Sequence, residues 1–245
     1  MTPQLLVINP NTTASVTALL ARHLGGVMAP AVAVRAVTAR FGPPYISDEA
    51  GCAVASHAVL DAWLHALHTG DAAPHAVLIG CFGDPGLLAL RESSPVPVSG
   101  LAEAAFTEAA RLGPFAVVTG GERWGPMLQR LAHTLGFADA LAGVHTVAPT
   151  GAQLAADPAG ARALLAQACR DAQQRWGVAS VIVGGAGLAG MAAQLQPEVD
   201  VPLIDSVLAA ARWAQGLNWP SGTAPQPEPE LLSQLSRATG FSPLA

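Results

Sequence analysis

Ala76-Val77-Leu78-Ile79-Gly80-Cys81-Phe82-Gly83-Asp84-Pro85-Gly86 is a short apolar run that ends at a thiol and gives way to glycines and a turn. Later the chain repeats the pattern as Val181-Ile182-Val183-Gly184-Gly185-Ala186-Gly187, with glycine where the first copy has cysteine. A brief continuous apolar run bounded by turn residues reads as a strand buried on both faces of a parallel sheet. Ligands of such sheets bind beyond the carboxyl ends of the strands, which is where Cys81 and Gly185 fall. Two further pairs of segments match in the same order. Leu5-Leu6-Val7-Ile8-Asn9 resembles Phe115-Ala116-Val117-Val118-Thr119, and Val96-Pro97-Val98 with Leu101-Ala102-Glu103-Ala104-Ala105 resembles Val201-Pro202-Leu203 with Ser206-Val207-Leu208-Ala209-Ala210. An ordered internal repeat of this kind predicts two pseudo-symmetric α/β lobes, each a parallel sheet flanked by helices, with the active site in the cleft between them.

Working outward, strands are expected near 4–8, 32–37, 76–80, 96–98, 115–119, 144–147, 180–184 and 202–204. Ala/Leu-rich stretches predict helices over 12–24, 49–69, 86–91, 101–111, 124–135, 158–175, 188–195 and 206–215. Thr12 or Thr13 can cap the first helix, and Asp157-Pro158 opens another with proline in its first turn. The expected division is lobe 1 over 1–112 plus 205–245, carrying Cys81, and lobe 2 over 113–204. Within lobe 1, the polar stretch 220–230 holds Pro220, Pro225, Pro227 and Pro229 and reads as a linker to a short terminal helix.

Composition excludes several classes of function. The 245 residues suffice for a large buried core, and 51% are hydrophobic against 12% charged. No apolar run reaches the roughly 18 residues a membrane span needs, and no basic leader precedes the first strand. A net charge of −5 without a Lys/Arg cluster argues against nucleic acid. Cys52, Cys81 and Cys169 lack metal-ligand spacing, so no metal site is expected, and they fit a reducing, cytoplasmic setting.

The residues that can carry chemistry gather after the expected strands. Asn9-Pro10-Asn11-Thr12-Thr13 either offers a ligand its amide side chains or simply forms an Asx turn with a helix cap. Free cysteine is commonly a small buried hydrophobe. Gly80 and Gly83 around Cys81, and the turn at Asp84-Pro85-Gly86, instead mark a functional thiol whose thiolate a helix N-terminus would favour. Cys52 and Cys169 fall in helical stretches and read as core. Gly42-Pro43-Pro44-Tyr45-Ile46-Ser47-Asp48-Glu49 reads as a flap, with the chain's one tyrosine at Tyr45 as a ligand contact; Asp48 and Glu49 are first-turn helix acids or catalytic groups. His57, His65 and His68 share a helical face expected to be solvated, whereas His145 ends a strand and can approach the cleft. Backbone amides at Thr119-Gly120-Gly121, after Cys81 at Phe82 and Gly83, and at Gly185-Ala186 are expected to form two facing nests for a carboxylate or an enolate-like oxygen.

At this point the chain resembles the hydantoin racemases of the aspartate/glutamate racemase superfamily. The matching pieces are Val7-Ile8-Asn9-Pro10-Asn11-Thr12, the Tyr45 to Ala50 segment, Cys81-Phe82-Gly83-Asp84-Pro85-Gly86, Gly100-Leu101-Ala102-Glu103-Ala104-Ala105 and Val201-Pro202-Leu203-Ile204-Asp205. The resemblance implies a cofactor-free homo-oligomeric enzyme with two cysteines on opposite faces of a small substrate. One removes a proton next to a carbonyl and the other returns one from the far side. Cys81 matches the first cysteine, and the second falls at Gly185. Some members of the superfamily work with one cysteine, as arylmalonate decarboxylases do, and maleate isomerases use one of their two as a nucleophile. The expectation is therefore a single-thiol enzyme acting on a cyclic ureide, a thioureide or a small carboxylate. Its foremost form is hydrolysis or desulfurisation of a hydantoin or thiohydantoin acid through a thiol adduct. The alternatives are racemisation with His145, Glu122 or a flap carboxylate in place of the second thiol, one-cysteine decarboxylation, and a non-catalytic binding protein.

Overall fold

Proline decides where two of the strands begin. Pro97 has no N–H, but its carbonyl accepts from Val77 N at 2.9 Å, so regular pairing starts one residue later and β4 is Val98–Gly100 rather than 96–98. Pro202 does the same for Val181 N at 3.0 Å, and β8 is Leu203–Asp205. The computed structural model describes residues 2–70, 72–220 and 222–241. In it β1 (Gln4–Asn9), β2 (Ala33–Thr38), β3 (Ala76–Ile79) and β4 form a four-stranded sheet in the order β2-β1-β3-β4. β5 (Phe115–Gly120), β6 (Leu141–Val147), β7 (Ser180–Gly184) and β8 form the second, in the order β6-β5-β7-β8. Every pairing is parallel, and the order of the first sheet recurs in the second.

Alternate residues of each strand face different layers. Leu6, Ile8, Val77 and Ile79 pack toward α2 (Glu49–Thr69) and α3 (Leu87–Ser93). Their neighbours Leu5, Val7 and Leu78 share a cluster with Phe115, Val117 and Ile182 of the second sheet. Into that cluster go Leu20 and Leu24 of α1 (Ala14–Met28), Phe106 of α4 (Leu101–Ala110) and Ala210 of α9 (Ser206–Gln215). These helices form a layer common to both sheets, so the carboxyl ends of the two sheets are held at fixed separation. Fully burying a side chain the size of Phe106 contributes about 2–3 kcal/mol. The far side of the second sheet, with Val118, Val181 and Val183, packs on α7 (Pro158–Trp176).

Several local expectations change. β6 starts at Leu141 rather than at 144, and its register slips between Phe115 and Ala116. An unexpected helix α6 (Gly151–Ala156) precedes α7, opened by a capping box in which Thr150 and Gln153 satisfy each other's backbone N–H. The expected helix 188–195 breaks at Gly190, φ 84°, into a 3-10 turn at Ala186–Leu188 and α8 (Met191–Leu195). Thr13 stands before α1 without capping it, because its hydroxyl donates to Pro44 O at 2.6 Å. Asp157 caps α7 through Gly160 N at 3.1 Å. The His57–His68 side of α2 is not simply solvated: α10 (Pro229–Thr239) packs on α2, with His57 Nε2 at 2.9 Å from Thr239 O and the His68 ring centroid 5.1 Å from that of Phe241. Ser221, inside the expected linker, lies outside the described residues. No described helix is long and apolar enough to cross a membrane, and no cluster of three or more His, Cys, Asp or Glu able to hold a metal occurs among the described residues.

Candidate active site

The thiol loop is built by close packing at its glycines and by one buried carboxylate. Gly80 N–H donates to Ile8 O at 2.8 Å, extending β3 by a residue, and a Cβ there would press on Leu20. Gly83 lies under the Trp124 ring with no room for a side chain. Asp84, at φ 45°, turns the chain back so that its own N–H donates to Cys81 O at 3.2 Å. Its carboxylate accepts from Ala102 N at 3.0 Å and Glu103 N at 2.8 Å, first-turn amides of α4 that have no partner within the helix. A Cβ at Gly100, the residue before α4, would collide with that carboxylate. Burial raises the Asp84 carboxyl to about 7, against the opposing pull of the two amides.

The second sheet repeats the device with the carboxylate on the other partner. Asp205 caps α9 through Val207 N at 2.9 Å and Leu208 N at 3.1 Å, and reaches across to Gly190 N at 2.6 Å. Gly190 at φ 84° corresponds to Gly86 at φ 75°, and the same step along the chain pairs Gly185 with Cys81. Gly185 itself has φ 145°, in a region that L-residues avoid, while a Cβ there would meet Leu188 only at 3.4 Å. Backbone conformation, not crowding, reserves this position for glycine.

Asn9 is fully buried, and its Nδ2 donates to Asn11 Oδ1 and Thr17 Oγ1 at 3.0 Å and to Thr13 O at 3.1 Å. It holds Asn11 in place without reaching the cavity. Asn11 Oδ1 also accepts from Thr13 N at 2.9 Å, so its Nδ2 is left for a ligand. The flap is pinned at three points. Thr12 N donates to Pro43 O at 3.2 Å, Thr13 Oγ1 to Pro44 O, and the Tyr45 hydroxyl accepts from Gly151 N at 2.8 Å. Asp48 caps α2 through Gly51 N and pairs with Arg123, and Glu49 pairs with Arg130, so both flap acids are engaged outside the cavity.

Between the sheet ends lies a cavity of about 120 Å³. Of the residues singled out in the sequence, Asn11, Tyr45, Cys81, Phe82, Thr119, Gly185 and Ala186 line it. Asn9, Pro10, Gly83, Gly120, Gly121 and His145 do not. His145 belongs to β6, the edge strand of its sheet, paired with Val118. Glu122 is exposed to solvent. Gly121 N–H is not free for a nest, because it donates to Val147 O at 2.8 Å; Gly185 N–H likewise donates to Ser206 Oγ at 3.2 Å. Thr119 Oγ1 donates to Gly184 O at 2.8 Å, which ties β5 to β7. The amides of Phe82 and Ala186 make no hydrogen bond within the described residues, so each loop offers a donor. Sequence reasoning passed over Val16 and Trp124, which supply apolar wall together with Ile46 of the flap. Trp124 opens α5 (Trp124–Thr134) just beyond the Thr119-Gly120-Gly121 strand end, and that position was its only signal.

No charged side chain lines the cavity, and two titrating groups do, Cys81 and Tyr45. Burial pushes the Cys81 thiol well above its usual range, and Cys52 and Asp84 add to the rise. The lowering expected from a helix N-terminus is overridden, since desolvation of a thiolate in an apolar wall outweighs the dipole of so short a helix as α3. Burial also raises the Tyr45 phenol, Gly151 N–H and the Trp124 indole pull it down, and Cys81 raises it further.

Residues 5–214 match the family described as Asp/Glu/Hydantoin racemase. A hydantoin racemase of Paenarthrobacter aurescens is 33% identical over 215 residues, covering 87% of this chain and 90% of that protein. An allantoin racemase from Klebsiella pneumoniae is 31% identical, with a TM-score of 0.79 over 94% of this chain and 98% of that one. The Gly74Cys mutant of an arylmalonate decarboxylase, 18% identical with a TM-score of 0.60 over 90% of this chain and 97% of that one, is similar in fold alone.

Proposed function

The chain belongs to the Asp/Glu/hydantoin racemase family, and on that premise we propose that it racemises a hydantoin-type cyclic ureide, with Cys81 exchanging the proton on one face of the ring. The observation that carries this reading is a mostly apolar cavity with one thiol and no charged lining residue. A free amino acid or a dicarboxylate brings charges whose burial without partners is costly. A neutral ureide ring brings only amide N–H and C=O groups, which Asn11 Nδ2 and the Phe82 and Ala186 amides can meet. Deprotonation next to the ring carbonyl moves charge onto its oxygen, where backbone donors stabilise the enolate. The hydantoin and allantoin relatives are racemases, and none of the named proteins supports hydrolysis or desulfurisation, the foremost expectation from sequence. His145, Glu122 and the flap acids, expected as replacements for a second thiol, all lie outside the cavity lining.

The test is proton NMR in D₂O with polarimetry on an enantiopure 5-alkyl hydantoin. Wild type is expected to exchange the C5 proton and lose optical rotation, and Cys81→Ala to do neither. Release of ring-opened product, or no exchange by wild type, would sink the racemase reading.

A further inference from the structure

Inversion needs a proton carrier on each face of the substrate carbon, and Gly185, the counterpart of Cys81, has no proton to carry. We propose that Tyr45 is the second proton carrier, acting from the wall opposite Cys81; the proposal rests on the racemase reading above. Among the residues lining the cavity, Tyr45 is the one titrating group besides Cys81. Its location fits the role. Cys81 follows β3 of the first sheet, whereas the Tyr45 hydroxyl is fastened to the second sheet's carboxyl end, 2.8 Å from Gly151 N at the start of α6. A Cβ on Gly121, just after β5, would stand 3.9 Å from the same oxygen.

Hydrogen-bond chemistry gives the phenol its direction. Gly151 N–H donates to the oxygen, and the Trp124 indole stands near enough to lower the phenol's pKa. Both groups are donors only, so neither can take the phenol's hydrogen. The hydroxyl donates to nothing among the described residues, and its proton is left for the cavity. The same two donors stabilise the phenolate once that proton has gone.

The steps balance without a further reactant. From one enantiomer the Cys81 thiolate takes the C5 proton, and the C–H electron pair moves into the ring as the carbonyl becomes an enolate. The enolate then takes the Tyr45 hydroxyl proton on its other face, restoring the carbonyl and forming the new C–H bond. Thiol and phenolate remain, and that pair starts the conversion of the opposite enantiomer. Each starting state has one proton fewer than the resting thiol and phenol, so inversion should rise with pH into the alkaline range.

Two variants test the assignment. Tyr45→Phe is expected to retain Cys81-dependent C5 deuterium exchange on one enantiomer while inversion falls roughly 10²–10⁴-fold, the usual worth of a general acid or base. Because the chain has one tyrosine, global incorporation of 3-fluorotyrosine changes position 45 alone and keeps its shape. Its more acidic phenol is expected to move the alkaline limb of the inversion profile to lower pH. Inversion by Tyr45→Phe at close to the wild-type rate, or a fluorotyrosine profile that does not move, overturns the proposal. Equal loss of exchange and inversion in a Tyr45→Phe protein with unchanged melting temperature also overturns it, since Tyr45 would then only shape the site. Wild type that neither exchanges nor inverts defeats the racemase reading first and this assignment with it.

Discussion

Replacing Asp84 with Asn should change how stability depends on pH more than it changes stability at any one pH. Asp84 is 3% exposed, and its carboxyl rises from 3.8 to about 7 on folding. Between those values the native state holds a proton that the unfolded state has released. The unfolding free energy contributed by this group therefore falls as pH rises from about 4 to about 7, and is flat on either side. A displacement of that size corresponds to roughly 4 kcal/mol at most, and on the order of 2–4 kcal/mol after relaxation around the buried charge. Asn keeps the shape and never ionises. It turns an NH₂ toward a backbone N–H, which costs about 1–3 kcal/mol at every pH. Urea unfolding followed by tryptophan fluorescence at pH 5 and pH 8 isolates the ionisation, provided the m-values of the two proteins agree. Relative to Asp84→Asn, wild type should lose on the order of 1–3 kcal/mol between the two conditions, since part of the window lies below pH 5. A gap between the proteins that is the same at both pH values would show that the Asp84 carboxylate is not strained by burial. The same variant removes a charge that raises the Cys81 thiol, so iodoacetamide should modify Cys81 at lower pH than in wild type.

Three further outcomes follow from the geometry. Gly100→Ala should lower the melting temperature by an amount equivalent to about 1–3 kcal/mol, because its methyl meets the Asp84 carboxylate, and an unchanged melting temperature would refute the clamp. Gly185→Ala should cost about 1–3 kcal/mol through its φ of 145°, even though space for the methyl exists, and an unchanged denaturation midpoint would contradict that account. Asn9→Leu should raise KM for the hydantoin while leaving Cys81 alkylation unaltered, since it frees Asn11 but not the thiol loop; steady-state kinetics with parallel alkylation rates decides it.

Much of the architecture follows from local sequence. Runs such as Leu5–Ile8 and Val181–Val183 are apolar at every position, which is stable only between two covered faces, and their ordered recurrence predicts two sheets of like order. The strand ends then mark Cys81, Gly185 and Thr119 as neighbours of one cleft without any knowledge of packing. Even α6 was written in Thr150 and Gln153, a capping pair too short-ranged to stand out beside the Asp157-Pro158 start that follows it.

What tertiary structure decided is the state and the company of each functional group. The sequence places a helix start near Cys81 and so implies a lowered thiol, but the sign of the shift depends on how far the sulfur is desolvated, and burial in the apolar wall raises it. Asn9 and Asn11 look alike in the chain, yet one is spent holding the other because α1 packs Thr17 against it. Tyr45 and Gly151 lie far apart in sequence and meet only where the flap crosses to the second sheet. Strand position is set by hydrophobic periodicity within a few residues, whereas ionisation and hydrogen-bond pairing are set by contacts between distant segments, which no local pattern encodes.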